Sequence, residues 1–231
     1  MSIEYVDRFN FKWTVGHENS VVIGAHHQGK TFLAANLIAR SILGRFDQWA
    51  WDYHGKLYNE LQALRLTPVE RQVLGDRGRA VSMIKKGTNF VLPVDKSPAS
   101  FDAFCNLVLQ QHDLHVLVDE AHNYSSAHRI GVPYARLVRD AGNQNVSYTA
   151  IFQRPAENHK SIISNATHIF VFKLPLHTDA DYLRKWVGTE VELLLQPEFR
   201  RFYKDEPILP QRSFIYKDIR ADRPVVVRGG I

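Results

Sequence analysis

Three short stretches of this chain carry residues able to do chemistry. The first, Gly24-Ala25-His26-His27-Gln28-Gly29-Lys30-Thr31, has the form GxxxxGK[ST]. Its glycines let the backbone curl so that successive N–H groups point inward at phosphate oxygens. A helix beginning at Lys30 would add its free N–H groups and positive dipole end. Lys30 would reach the β and γ phosphates of a nucleoside triphosphate, and Thr31 would ligate Mg²⁺. The second stretch is Val116-Leu117-Val118-Asp119-Glu120. Asp119 would hold the Mg²⁺ shell through water, and Glu120 would orient and polarise the water that attacks the γ phosphate in line. A strand followed by an acidic helix cap has the same look, and the matching loop upstream favours the hydrolytic reading. The third is Tyr148-Thr149-Ala150-Ile151-Phe152, followed by Gln153-Arg154-Pro155. Gln153 at that strand edge is the candidate sensor of the γ phosphate and the attacking water, although a strand ending at a proline turn looks much the same. Together the three predict binding and hydrolysis of ATP with Mg²⁺.

Such groups must be held by strands with helices behind them. Apolar runs alternate with helix-period segments, which predicts an α/β fold around a mostly parallel sheet. The candidate strands are Val21–Ile23, Gln48–Asp52, Phe90–Val94, His115–Asp119, Tyr148–Gln153 and His168–Phe172. Several are nearly continuous apolar runs, as in strands covered on both faces. Helices are expected from Lys30 to about Leu43, stopped by Gly44; from near Ser100; from Pro133 to near Gly142; and from Thr178 to Leu195. Phe214–Tyr216 and Val225–Val227 read as a terminal strand pair. The segment from Arg65 to Thr88 is expected to mix helix and loop. No repeat or linker interrupts the chain, so it reads as one domain over residues 1–231, with a core of about 18–175 and a C-terminal extension of about 176–231.

Composition narrows the class. The 231 residues are 45% hydrophobic and 23% charged, enough to bury a core and unlike a disordered chain. No apolar run approaches the roughly 18 residues of a membrane span. The N-terminus lacks a basic n-region and an apolar h-region, which leads to an expectation of a cytoplasmic protein. Cys105 is the sole cysteine, so an intrachain disulfide and a cysteine metal site are excluded; its helix-period surroundings predict a core position. A formal charge of +5 is compatible with a polyanionic partner, but the basic residues are spread along the chain rather than clustered. His26, His27 and His122 lie in or beside the motifs. Adjacent histidines invite a metal, yet no further ligand has the spacing for one, so they are expected to fill the loop and to lend pH dependence if charged.

The set GAHHQGKT, LVDEAHN, LVRDAGNQNVSYTAIFQRPAE and SNATHIFVFKL resembles the FtsK–HerA superfamily of DNA-pumping ATPases, in order from residue 21 to about 174. The turn Asp52-Tyr53-His54-Gly55 also looks like one that follows the family's second strand. In size the chain is most similar to the genome-packaging ATPases of membrane-containing icosahedral and archaeal viruses. The resemblance implies a P-loop NTPase of RecA/ASCE type with a C-terminal strand pair. It further implies a homo-oligomeric ring, usually a hexamer, that threads double-stranded DNA, with capsid or inner-membrane virion proteins as further partners.

Lys30, Thr31, Asp119, Glu120 and Gln153 fall on the family's motif positions. The family completes each site with an arginine from the neighbouring subunit. Arg139 matches the first arginine of the helix that follows the Asp-Glu strand. Relatives often carry a second one where this chain has Gly142, so Arg136 and Arg154 stand as further candidates. A trans arginine is worth roughly 10³–10⁵ in rate where it acts. The loop from Tyr124 to Gly131 is small and weakly basic, and Ser125, Ser126 and Arg129 are its candidate DNA-phosphate donors, if it is more than an ordinary exposed loop. An alternative with the same nucleotide-site residues is an ATPase that powers assembly or secretion of a filamentous phage, pilus or conjugation-type machine. The Asp119-Glu120-Ala121-His122 label of helicases is discounted, since those need two tandem motor domains.

Overall fold

The computed structural model describes residues 3–7, 9, 11, 18–35, 47–63, 70–72, 88–91 and 95–229. Among the described residues ten strands form one sheet: β1 Tyr5–Val6, β2 Ser20–Ile23, β3 Asp47–Trp51, β4 Glu70–Gln72, β5 Thr88–Val91, β6 Leu114–Val118, β7 Val146–Phe152, β8 His168–Phe172, β9 Phe214–Asp218 and β10 Val225–Val227. Their order is β1-β10-β9-β8-β2-β7-β6-β3-β5-β4. From β8 to β4 every pairing is parallel. The C-terminal pair is antiparallel within itself and runs β9 antiparallel along β8. Strand β7 thus separates the strand before the phosphate loop from the strand that ends in Asp119-Glu120, and this interposed strand is the ASCE arrangement.

The helices are α1 Lys30–Leu33, α2 Lys56–Ala63, α3 Pro98–Val108, α4 Val132–Asp140, α5 Lys160–Ser164 and α6 His177–Val187. Alternation along the strands sends successive side chains to opposite faces. Val21, Ile23, Val116, Val118, Ala150 and Phe152 pack with α3, α4, α5 and α6, while Val22, Leu117 and Ile151 pack with Leu33, Ala34 and Leu57 on the other face. Ser97 caps α3: its side chain accepts from the Ser100 amide, and Pro98 occupies the first turn. Cys105 is fully buried on α3, as expected of a core residue.

Six strands lie where the sequence places them, to within two residues for β2, β3, β6, β7 and β8, and with β5 starting two residues early. The expected end of that strand at Val94, the helix beyond Ala35 to Gly44 and most of the segment from Arg65 to Thr88 lie outside the described residues. The helix expected from Thr178 to Leu195 is instead two elements. Gly188, at φ +103°, ends α6, and Thr189–Leu194 continues as 3₁₀ turns. A residue with a side chain adopts that φ only at a cost, which is why the break falls at glycine. The short elements β1, α2 and α5 are absent from the sequence reading, and Glu70–Gln72 is a strand, paired with β5, inside the segment expected to mix helix and loop.

Candidate nucleotide site

The phosphate loop sits between two strand ends. The Gly24 amide donates to the Phe152 carbonyl at the end of β7 (3.3 Å), and the Ala25 amide to the Lys173 carbonyl just past β8 (2.9 Å). Gly24 has φ +148°, and a Cβ there would lie 2.6 Å from the Phe172 Cβ, so both conformation and space require glycine. Gly29 has φ +101° and caps α1 in the left-handed region. His27 is also left-handed, at φ +59°. The Lys30 ammonium donates to the Ala25 carbonyl at 2.7 Å, folding back across the loop. Burial pushes its pKa below the ordinary lysine value, opposed by Glu120 and Asp119. Thr31 is half-buried beside it.

Across β7, strand β6 delivers the two acids. The Asp119 amide is held by the Trp51 carbonyl of β3 at 2.9 Å. Its side chain is 3% exposed, and its Oδ2 has no hydrogen-bond partner among the described residues. Burial, with the charges of Glu120 and Asp52 added, pushes its pKa up to about 7. Glu120 takes up left-handed backbone, φ +51° and ψ +44°, an uncommon conformation for this residue and of the kind that clusters at active sites. That twist turns it from the strand toward the end of β7. There Gln153 Nε2 donates to Glu120 Oε2 at 3.2 Å, and His122 Nδ1 lies 3.2 Å from the same oxygen. Burial lowers the His122 pKa, opposed by Glu120, and its Nδ1 makes no hydrogen bond among the described residues. The segment after Glu120 is pinned by Tyr124, whose ring stacks on Phe101 at 4.0 Å and whose hydroxyl accepts from Trp51 Nε1 at 2.9 Å.

Lys30, Asp119, Glu120 and Gln153 are therefore brought together at the carboxyl ends of β2, β6 and β7, where ligands of open α/β sheets bind. Asp119 and Thr31 suit a divalent ion held mainly by phosphate oxygens and water, as Mg²⁺ usually is. The orphaned oxygen of Asp119, whose pKa burial raises, is the feature of this structure that fits such an ion. When bound, Mg²⁺ would neutralise charge on the phosphates. His26 and His27 are exposed at the loop, and among the described residues no three histidine, cysteine or acidic side chains cluster for a metal.

Other predicted residues fall elsewhere. Arg136 and Arg139 are exposed on α4, with Arg139 Nε donating to the Ala135 carbonyl at 3.3 Å. Arg154 is engaged within its own chain, with Asp179 at 2.9 Å and Glu157 at 2.9 Å. The loop after Tyr124 is a small hairpin closed by a Ser125–Ile130 bridge, with Ser126 and Arg129 at its exposed tip. Ser125 turns inward, its hydroxyl donating to the side-chain amide oxygen Oδ1 of Asn158 at 2.9 Å.

Three neighbours of the site were given no role in the sequence reading. His54 Nε2 is 4.0 Å from Glu120 Oε1, and the exposed Lys56 amine lowers the pKa of both Asp119 and Lys30. Both follow the buried Asp52, which accepts from the Leu57 amide at 3.3 Å; an acid and a glycine at a strand end were the available signal. Arg212 comes from just before β9, and its stem carbons would lie 3.8 and 4.0 Å from a Cβ at Gly29. Nothing in its local sequence marks it.

With this geometry the class is defined by fold: a P-loop NTPase of ASCE type. No family model matches the sequence, and no curated protein does. Among solved structures, the genome packaging NTPase B204 from Sulfolobus turreted icosahedral virus 2 shares the fold with a TM-score of 0.70 at 13% identity, over 94% of this chain and 98% of that one. B204 from Sulfolobus turreted icosahedral virus, described as a DNA-packaging ATPase, superposes with a TM-score of 0.68 at 14% identity, over 93% of this chain and 98% of its own. The pCW3 conjugation coupling protein TcpA gives 0.56 at 11% identity, with 92% of this chain covering 60% of it. At identities of 11–14% these likenesses show a shared fold.

Proposed function

We propose that this chain is an ATP-driven motor that translocates double-stranded DNA, packaging a viral genome into a capsid. The observation that carries its hydrolytic part is Glu120, turned by left-handed backbone onto Gln153 beside the Lys30 loop. In this reading Lys30 swings from the Ala25 carbonyl to the β and γ phosphates, and the N–H groups of residues 24–31 cradle them. Glu120 accepts a hydrogen bond from the attacking water and holds it in line, while Gln153 fixes the carboxylate's orientation. Asp119 and Thr31 hold Mg²⁺.

The DNA part is supported by the motif resemblance and by a fold shared with B204 over nearly the full length of both chains. Action as a homo-oligomeric ring, taken as a hexamer, goes with that reading, as do host cytoplasm as the location and capsid or inner-membrane virion proteins as further partners. Arg139 or Arg136 on the outer face of α4 would reach the neighbour's γ phosphate. Arg154 is the poorer candidate, because leaving Asp179 would strand a buried acid. Ser126 and Arg129 at the hairpin tip would meet the DNA backbone, with Ser125 bracing the hairpin from inside.

The fold shared with a conjugation coupling protein favours a second reading, a conjugation-type machine. ATP hydrolysis assayed with and without linear duplex DNA tests the proposal. Several-fold stimulation by duplex, with DNA-dependent ring formation in light scattering, is the expected result. Hydrolysis indifferent to duplex DNA would remove the translocase reading and leave the ATPase standing.

A further inference from the structure

Gln153 and Arg154 lie beyond the paired residues of β7, the last of which is Phe152. The sheet ladder does not fix them, so the turn that follows must. Asn158 closes that turn. Its side chain is buried, although asparagine is mostly a surface residue, and both ends of its carboxamide are used. Nδ2 donates to the Arg154 carbonyl at 2.7 Å, an acceptor shared with the Glu157 amide at 3.2 Å. Oδ1 accepts from the Ser125 hydroxyl at 2.9 Å. Turning the amide over would set Oδ1 against the Arg154 carbonyl, one acceptor against another. The residue before Arg154 is Gln153, whose Nε2 donates to Glu120. A relay thus runs from the base of the 125–130 hairpin to the proposed catalytic carboxylate.

We infer that Asn158 is a positioning residue for hydrolysis: it holds Gln153 against Glu120 and makes that hold depend on the setting of the hairpin. The inference rests on the hydrolytic part of the reading above, not on its DNA part, and deepens it. The hairpin is built to pass on a displacement. The Ser125–Ile130 bridge closes it, and the Ser126 and Arg129 backbones bond each other in both directions, at 2.7 and 3.3 Å. Its covalent ends lead elsewhere. Tyr124 is stacked on Phe101 of α3, and a Cβ at Gly131 would lie 2.6 Å from Asp102 Oδ1, so both ends are pressed against α3. The Ser125 hydroxyl is the link that points toward Gln153. Asp179 holds the far end of the Arg154 side chain, whereas Asn158 holds its backbone, next to the Gln153 peptide.

The test is a double-mutant cycle on the full chain. Steady-state ATP hydrolysis without DNA is measured for wild type, Gln153→Ala, Asn158→Ala and the double variant, with circular dichroism to check the fold. Asn158→Ala should lower kcat roughly three- to tenfold with KM near wild type, and the double variant should be no slower than Gln153→Ala alone. A residue that only supports the fold would multiply its loss onto that of Gln153→Ala. Such multiplication overturns the inference, and so does wild-type kcat in Asn158→Ala. Where Asn158→Ala does not fold, Ser125→Ala cuts the same relay from its half-buried end. There kcat should fall by roughly twofold or more, again without adding to Gln153→Ala, and Ser125→Thr, which keeps the hydroxyl, should restore it. Wild-type kcat in Ser125→Ala would then overturn the inference. Gln153→Ala turning over at the wild-type rate, or wild-type protein that hydrolyses no ATP, removes the hydrolytic reading itself, and this inference with it.

Discussion

Glu18 and Asp119 are both 3% exposed and both stand at ends of core strands, yet they are treated in opposite ways. Glu18, just before β2, accepts from Arg220 at 2.7 Å and lies 3.0 Å from His168 Nε2. Arg220 also binds Asp218 and holds that carboxyl below its usual range, while Asp218 and Glu18 push the arginine up. Every charge there has a partner, and the cluster ties the C-terminal strand pair to β8 and β2. Asp119, at the other end of the sheet, has Asp52 and Glu120 nearby and an oxygen with no partner, so burial drives its pKa up to about 7. The first cluster is finished by folding. The second is left short of positive charge, which a bound ion would supply. Buried charge without compensation is expensive, and its persistence marks a site rather than a scaffold.

The contrast can be broken from either end, and the largest effect is expected at Glu120. Glu120→Gln should lower kcat by about 10²–10⁴, the range of a lost general base, while nucleotide affinity measured by calorimetry stays near wild type. Turnover at the wild-type rate would take Glu120 out of the mechanism. At the finished cluster, Arg220→Ala leaves Glu18 buried beside His168, whose pKa burial lowers. A loss of about 2–3 kcal/mol in urea unfolding is expected, with no change in kcat per folded molecule.

Asp119→Asn should act in the opposite sense on stability. Below about pH 4 the native and unfolded chains both hold the Asp119 proton. As pH rises toward 7 the unfolded chain releases it and the native chain does not, so this group's contribution to stability falls across that window. The variant should therefore be more stable than wild type by about 1–3 kcal/mol at pH 8 and about equal at pH 4, read from Tm at both pH values. It should lose Mg²⁺-dependent nucleotide binding at the same time. The smallest effect is expected at Gln153→Ala, which frees the Glu120 carboxylate without removing it. A fall in kcat of about tenfold with little change in KM would distinguish an orienting residue from a binding one.

Much of the site was legible because it depends on local backbone. A loop such as Gly24–Thr31 closes on phosphates through its own N–H groups, so its residues announce it. Asp119-Glu120 after an apolar strand is legible for the same reason. Gln153 had two readings in the sequence, a sensor or a strand-ending polar residue; its place against Glu120 depends on β7 lying between β2 and β6. Arg154 stood behind Arg139 as a fallback; a buried partner, Asp179, lies 25 residues along the chain and occupies it. The break at Gly188 was visible in principle, but the apolar spacing continued through it.

By itself the sequence determined the parallel α/β core, the phosphate grip and the pair of acids, because strand alternation, helix periodicity and loop chemistry act over a few residues. Only the tertiary structure decided which distant groups share one space. It set His54 and Lys56 near the acids and folded the extension back so that Arg212 lies over Gly29. It also paired Glu18 while leaving Asp119 short of charge. Those outcomes depend on strand order and on what packs beside each end of the sheet, and electrostatic interactions are set by distance through space rather than along the chain.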